Sequence, residues 1–243
     1  MTSFASRSRN VPGSVVRTAS CNLSVSEGDW PYARIEAAAI DRHWARRVSE
    51  NPAFFNGIIY LMGTYALEPA RLAGTLHAVQ FKNYLYWRDQ GFPEAGIVDA
   101  FGSALIRSSD GRFLLGRQNS GHMNEGKSYL PSGLIDRRDV GADGRVDIEA
   151  SIRREISEET GLAHGELERT PGYIVTRTGA QMSIAVEFRS RLTGSELAER
   201  IGAHIAADEH SELSSVSFVG TMAEAGALDL PPFTSLLLGT LLA

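Results

Sequence analysis

The stretch Arg154-Glu155-Ile156-Ser157-Glu158-Glu159-Thr160-Gly161-Leu162 carries glutamates at i, i+3 and i+4. On an α-helix those positions cover an arc of about 100° on one face. Like charges at that spacing destabilise a helix by a few tenths of a kcal/mol. They also sit near the helix C-terminus, where the macrodipole disfavours negative charge. A local rule is broken with no local gain, as happens where function demands it. A hard divalent cation offsets the repulsion, since Mg²⁺ takes oxygen ligands and bridges carboxylates to phosphates. Arg154, four residues before Glu158, is placed to hold that carboxylate. A bare E-x-x-E-E is otherwise an ordinary solvated acidic face.

Working outward, Asp147 is a candidate N-cap and Gly161 a left-handed stop, so the spacing predicts a helix from about 147 to 160. Upstream, 97–107 reads as a strongly apolar strand, Asp110-Gly111 as a hairpin turn and 112–118 as the returning strand. A polar loop over 119–128, then Pro131-Ser132-Gly133 and a second loop over 136–146, separate this hairpin from the helix. Downstream, strands are expected at 173–178, 181–192 and 213–219, and helices at 195–207 and 233–242. Near the start, residues 1–28 read as a polar tail rich in Ser, Thr and Arg. A helix over 32–50 follows, ended by Asn51-Pro52, then strands at 58–63 and 72–81 and a short helix at 82–90. The mixed order of strands and helices points to α+β rather than a regular parallel sheet. The division expected is a tail at 1–28, an α/β extension at 29–94 and a main domain at 95–243, packed together because no flexible spacer divides them.

Arg-Glu-Ile-x-Glu-Glu-x-Gly-Leu resembles the second half of the Nudix box, G-x5-E-x7-R-E-U-x-E-E-x-G-U with U aliphatic, and fits it at every specified position. The resemblance extends over about Ala95 to Ala243. It implies a Nudix-type α/β/α sandwich with a mixed sheet, with the N-terminal helix and strands as an extension packed on it. The first half of the box departs from the pattern. The box glycine would fall on Val140, but Gly133 in Pro-Ser-Gly fits better by context, which inserts about seven residues in the 136–146 loop. The box's first glutamate would fall on Val146; no acid stands there, although Asp143 and Asp147 are close. An inserted loop beside a metal site would be placed to shape the substrate pocket.

The resemblance implies hydrolysis of a diphosphate bond in a nucleoside diphosphate derivative, with Mg²⁺ or Mn²⁺ as cofactor. Glu155, Glu158, Glu159 and the Ser132 carbonyl would be metal ligands, and Arg154 would orient the glutamates. Divalent ions screen phosphate charge and lower the pKa of bound water. A nearby carboxylate then takes the proton. Members of the family place this base variously, so Glu155, Glu158, Glu209 and Glu212 are candidates, with Glu187 a weaker one. Arg117, Lys127 and Gly133 are candidate substrate contacts. His122 and His210 lie in loops near the expected site, and Tyr129 could stack on a base or pack in the core.

Length and composition narrow the alternatives. At 243 residues, 43% hydrophobic and 22% charged, the chain is an ordinary globular one of one to two domains. A net charge of −5 with scattered arginines leaves no basic groove for nucleic acid. The lone cysteine, Cys21, forms no intramolecular disulfide and reads as a small core or loop residue. No apolar run reaches the ~18 residues a membrane span needs, so a cytoplasmic location is expected. The expected partner is a small nucleotide derivative, and a homodimer is compatible with the sequence. The subfamily stays open: marks of ADP-ribose and dinucleotide enzymes are missing, and the extension resembles leaders of some bacterial members, with a fainter likeness to a UDP-sugar branch. The alternative reading is a catalytically silent Nudix-fold module that senses a nucleotide, which an altered first half of the box would permit.

Overall fold

The computed structural model describes residues 13–243. The N-terminal part contributes strands β1 (Ser14–Thr18) and β2 (Ser20–Val25), helices α1 (Pro31–Ile35) and α2 (Ala37–Glu50), strands β3 (Ile58–Leu67) and β4 (Arg71–Gln80), and helix α3 (Phe81–Asp89). Next come β5 (Asp99–Arg107), β6 (Phe113–Gln118), β7 (Ser128–Tyr129), β8 (Ser132–Leu134) and β9 (Arg145–Val146), which lead to helix α4 (Ile148–Thr160). Strands β10 (Leu167–Arg169), β11 (Tyr173–Thr178) and β12 (Gln181–Ser190) follow. The chain closes with α5 (Gly194–Ala207), β13 (Leu213–Val219), α6 (Met222–Ala225) and α7 (Pro232–Leu241).

The main sheet runs β1-β11-β12-β5-β6-β13, with β12 parallel to β5 and the other neighbours antiparallel. Side chains alternate across it. On one face Ala104, Ile106, Val175 and Ile184 pack with Ile152 and Ile156 of α4 and Leu197 and Ile201 of α5. On the other, Leu105, Phe113, Ile174 and Ala185 pack with Leu237 and Leu238 of α7. The expected α/β/α sandwich with a mixed sheet is what forms. A second sheet, β3-β4-β2-β9, carries the extension. Its Leu23, Met62, Leu72 and Leu76 share one core with Ile148 and Ile152, so the extension is packed on the sandwich. Its outer side closes over an aromatic cluster that includes Trp30, Tyr32, Tyr84 and Trp87.

The polar tail needs correction. Residues 1–12 lie outside the described residues, but 14–18 and 20–25 are strands. β1 pairs with β11 from Ser14↔Arg177 to Thr18↔Tyr173, at the edge of the main sheet. One residue later the chain changes sheets, and β2 runs parallel to β4. Polar side chains hid both strands: β1 is an edge strand that buries little, and β2, with Leu23 its one buried side chain, is held by pairing on both sides with β4 and β9. The inserted loop is likewise ordered. Val140 bridges Val146, and β9 pairs with β2 at Leu23↔Val146, so the insertion supplies the edge of the extension's sheet. Among the described residues, no helix is long and apolar enough to cross a membrane.

Candidate active site

Strands β5 and β6 share one register pair, Arg107↔Phe113, and then diverge. β8 lines up along β5 and β7 along β6, so the splayed strands open a wedge beside the β8–α4 connection. A cleft of about 610 Å³ occupies it, with Ser132, Gly133, Glu155, Glu158 and Glu212 among its lining residues. Helix α4 delivers its glutamates there because its ends are fixed. The Asp147 side chain accepts from the Ala150 N–H, and Gly161, at φ 66°, adopts the left-handed conformation that stops the helix.

The three glutamates are graded by burial. Glu158 is exposed, its side chain 54% accessible, and lies 3.7 Å from Arg138 Nη1. Glu155 is mostly covered, and its pKa is pushed up to about 7, first by burial and then by Glu158. Glu159 is 3% exposed. Burial, then Glu155 and Glu212, raise its pKa well above the carboxylate range, against the Ser132 N–H, which lowers it. Its Oε2 is buried without a hydrogen-bond partner. Among the described residues, no group of three or more His, Cys, Asp or Glu side chains is arranged so that it could hold a metal ion. The donor set nonetheless fits a hard cation: clustered carboxylates, one with an orphaned oxygen, charged together only at a Coulombic cost that a cation removes. Gly133 has a steric duty in this arrangement. A Cβ there would overlap the Glu155 carboxylate, so no larger residue fits without moving that side chain.

Arg154 does not hold Glu158, contrary to the spacing argument. Its Nη1 donates to Asp139 Oδ1 at 2.7 Å, and its Nη2 lies 3.9 Å from Glu155 Oε1. Asp139 has a fully buried side chain, which also accepts from the Asp136 N–H. Sequence reasoning missed this acid, although the signal was present. Asp139 is the sixth residue after Gly133, the G-x5-acid spacing of the box with aspartate for glutamate. Counting back from Arg154 obscured it, because the extra residues lie between Asp139 and Arg154.

The other candidates divide. Glu212 lines the cleft; its side chain is 59% exposed and lies 4.0 Å from His122 Nδ1. Glu209 and His210 fall in an exposed turn and are not part of the cleft lining. Arg117 is exposed and points away, since alternation along β6 turns its neighbour Gln118 inward instead. Lys127 is occupied by Asp229 at 2.8 Å, outside the cleft. Glu187 pairs with Arg189 on a different surface. Tyr129 is buried, with its hydroxyl donating to Gln118 Oε1. Arg138 lines the cleft beside Glu158 and was not foreseen, and neither were Asp99 and Arg88. Arg88 belongs to the extension. Its Nη2 donates to the Met123 carbonyl and, at 2.7 Å, to Asn124 Oδ1, while Asn51 Nδ2 donates to the Gly121 carbonyl at 2.9 Å. The extension thus grips the 119–127 loop at two points and forms one wall of the cleft.

No family model matches the chain, and no curated protein matches it. Among solved structures, it is similar to a Nudix hydrolase from M. smegmatis, RenU, at 16% identity and a TM-score of 0.40, over 58% of this chain and 82% of that one. It is similar to a MutT protein from Methanosarcina mazei Go1 at 23% identity and a TM-score of 0.39, over 59% and 91% of the two chains. A C. elegans Ap4A hydrolase in a binary complex aligns at 14% identity and a TM-score of 0.38, over 59% and 95%.

Proposed function

We propose that the chain is a Nudix-type hydrolase that cleaves a diphosphate bond in a nucleoside diphosphate derivative, with Mg²⁺ or Mn²⁺ held by Glu155, Glu158, Glu159 and the Ser132 carbonyl. One observation carries the reading. Glu159 is buried with an unpartnered oxygen, beside Glu155, a second raised carboxyl that lines a cleft large enough for a small molecule. A purely structural helix face has no reason to bury that oxygen unsatisfied, since an unsatisfied buried polar group costs about 1–3 kcal/mol.

When bound, the divalent ion would screen the phosphate oxygens and acidify a water for attack on phosphorus. The chain's own residues supply the rest. The Arg154–Asp139 pair fixes the backbone of the glutamate turn against the β8 connection. Gly133 leaves room for Glu155. Arg138, whose Nε and Nη2 donate to Asp136, lines the cleft and would meet a phosphate oxygen through Nη1. Glu212, across the cleft lining and exposed, is the accessible carboxylate for accepting the water's proton. Glu155 and Glu158 remain candidates for the same task. Arg117, Lys127 and Glu209 have no part in this scheme.

The test is a panel of nucleoside diphosphate derivatives with Mg²⁺ or Mn²⁺, read as phosphate released after phosphatase treatment. Glu158→Gln is expected to lower turnover by at least ~10²-fold. Unchanged turnover removes Glu158 from the site. Binding without turnover across the panel replaces the hydrolase reading with that of a sensor.

A further inference from the structure

Asp99 opens β5 and is 1% exposed, yet it lines the cleft. Its Oδ2 accepts from the Tyr84 hydroxyl and from Gln181 Nε2, each at 3.1 Å. Its Oδ1 is buried with no hydrogen-bond partner. The site is built: the extension supplies one donor through α3, and β12 supplies the other. A buried carboxylate oxygen left bare is costly unless a ligand completes it. Three residue steps along the strand lead from Asp99 to Gly102, which pairs with Gly133 above the acid cluster. At ~3.3 Å per residue that is about 10 Å, comparable to the reach of a ribose and base from a phosphate. Aromatic side chains line the same cleft: Phe101, Tyr129 and Phe233 from the sandwich, and Phe54, Phe81 and Tyr84 from the extension. Flat apolar surfaces of this kind favour a planar heterocycle over a bare sugar.

We infer that Asp99 is a specificity-determining residue whose Oδ1 accepts a ring N–H from the substrate's base, so that the cleft selects a base with a lactam or imide N–H, as guanine and uracil have. The inference rests on reading the cleft as a nucleotide-derivative site and deepens it. With Oδ2 already taken by two donors, Asp99 offers the ligand an acceptor. A ring N–H meets it favourably. Adenine and cytosine carry a lone pair where guanine and uracil carry the ring N–H, so that position repels the carboxylate and only an exocyclic amine is left to meet it.

The experiment uses the full chain and the non-hydrolysable α,β-methylene analogues of GDP, UDP, ADP and CDP with Mg²⁺, titrated by calorimetry. The same four bases are then compared as nucleoside diphosphate glucoses in turnover. The GDP or UDP analogue is expected to bind at least ~10-fold tighter than both the ADP and the CDP analogue. The two favourable arms separate a purine pocket from a pyrimidine one. Asp99→Asn, which turns an amide N–H toward the cleft, is expected to reduce that ratio at least ~10-fold or invert it. Equal binding of all four bases, tighter adenine or cytosine binding, or no binding at all overturns the inference, and the wild-type chain alone decides this even if the variant fails to fold. A folded Asp99→Asn chain with an unchanged base ratio overturns it as well. Base-selective binding without turnover upholds the inference and sinks the hydrolase reading; turnover without base preference does the reverse.

Discussion

Glu155 and Glu159 are carboxyls held in a place where their charge is unwelcome, and that has a measurable sign. The Glu155 pKa is about 7 against an ordinary 4.5, and Glu159 is also raised for the same reason, burial beside other acids. The folded chain therefore binds these protons more tightly than the unfolded chain. Their contribution to stability is fully present below about 4.5 and is lost as pH rises through about 7. In the proposed function a divalent cation would take the place of the protons. Metal-free protein should lose thermal stability between pH 5 and pH 8. Mn²⁺ at a hundredfold excess over its Kd should raise Tm by roughly 5–10 °C at pH 8 and by little at pH 5. Equal Tm shifts at both pH values, or none, in a calorimetric scan would show that these acids do not share an ion. At this scale the sequence was informative about the glutamates, because their crowding is a matter of helical spacing alone. It was uninformative about Arg117 and Lys127. Whether a cation faces a cleft or an Asp229 depends on where the strand's alternate faces come to lie.

At the scale of elements, α4 was legible from end to end, since Asp147 and Gly161 act within a turn of it. The clasp that orients α4 was not. Asp139 meets Arg154 across an ordered insertion whose β9 strand pairs with β2. Asp139→Ala would leave Arg154, whose side chain is only 20% exposed, without its partner. Breaking such a pair is expected to destabilise the fold by roughly 3 kcal/mol, seen as a lower denaturant midpoint with an unchanged m-value. Asp139→Glu, the residue the box carries here, should lose less. A midpoint unmoved by Asp139→Ala would show that the ion pair is incidental.

Across the whole molecule, the extension is part of the cleft rather than an appendage. Arg88 and Asn51 hold the 119–127 loop, and the core of the small sheet runs into the core beneath α4. Arg88→Met should free that loop without touching the glutamates. Once a substrate is in hand, steady-state kinetics are expected to show KM raised ~3–10-fold with kcat little changed, the mark of lost ground-state binding. A fall in kcat at constant KM would instead tie Arg88 to the chemical step. The amino-acid order alone determined the acidic helix, its caps, the alternating strands around it and the α+β class, because each arises from neighbours within a few residues along the chain. Only folding decided that 14–18 and 20–25 would be strands, that Asp139 would find Arg154, and that one oxygen of Asp99 would be left without a partner in a cleft lined by aromatic rings. Those outcomes join residues far apart in the chain, and their energy comes from pairing and burial that no local pattern records.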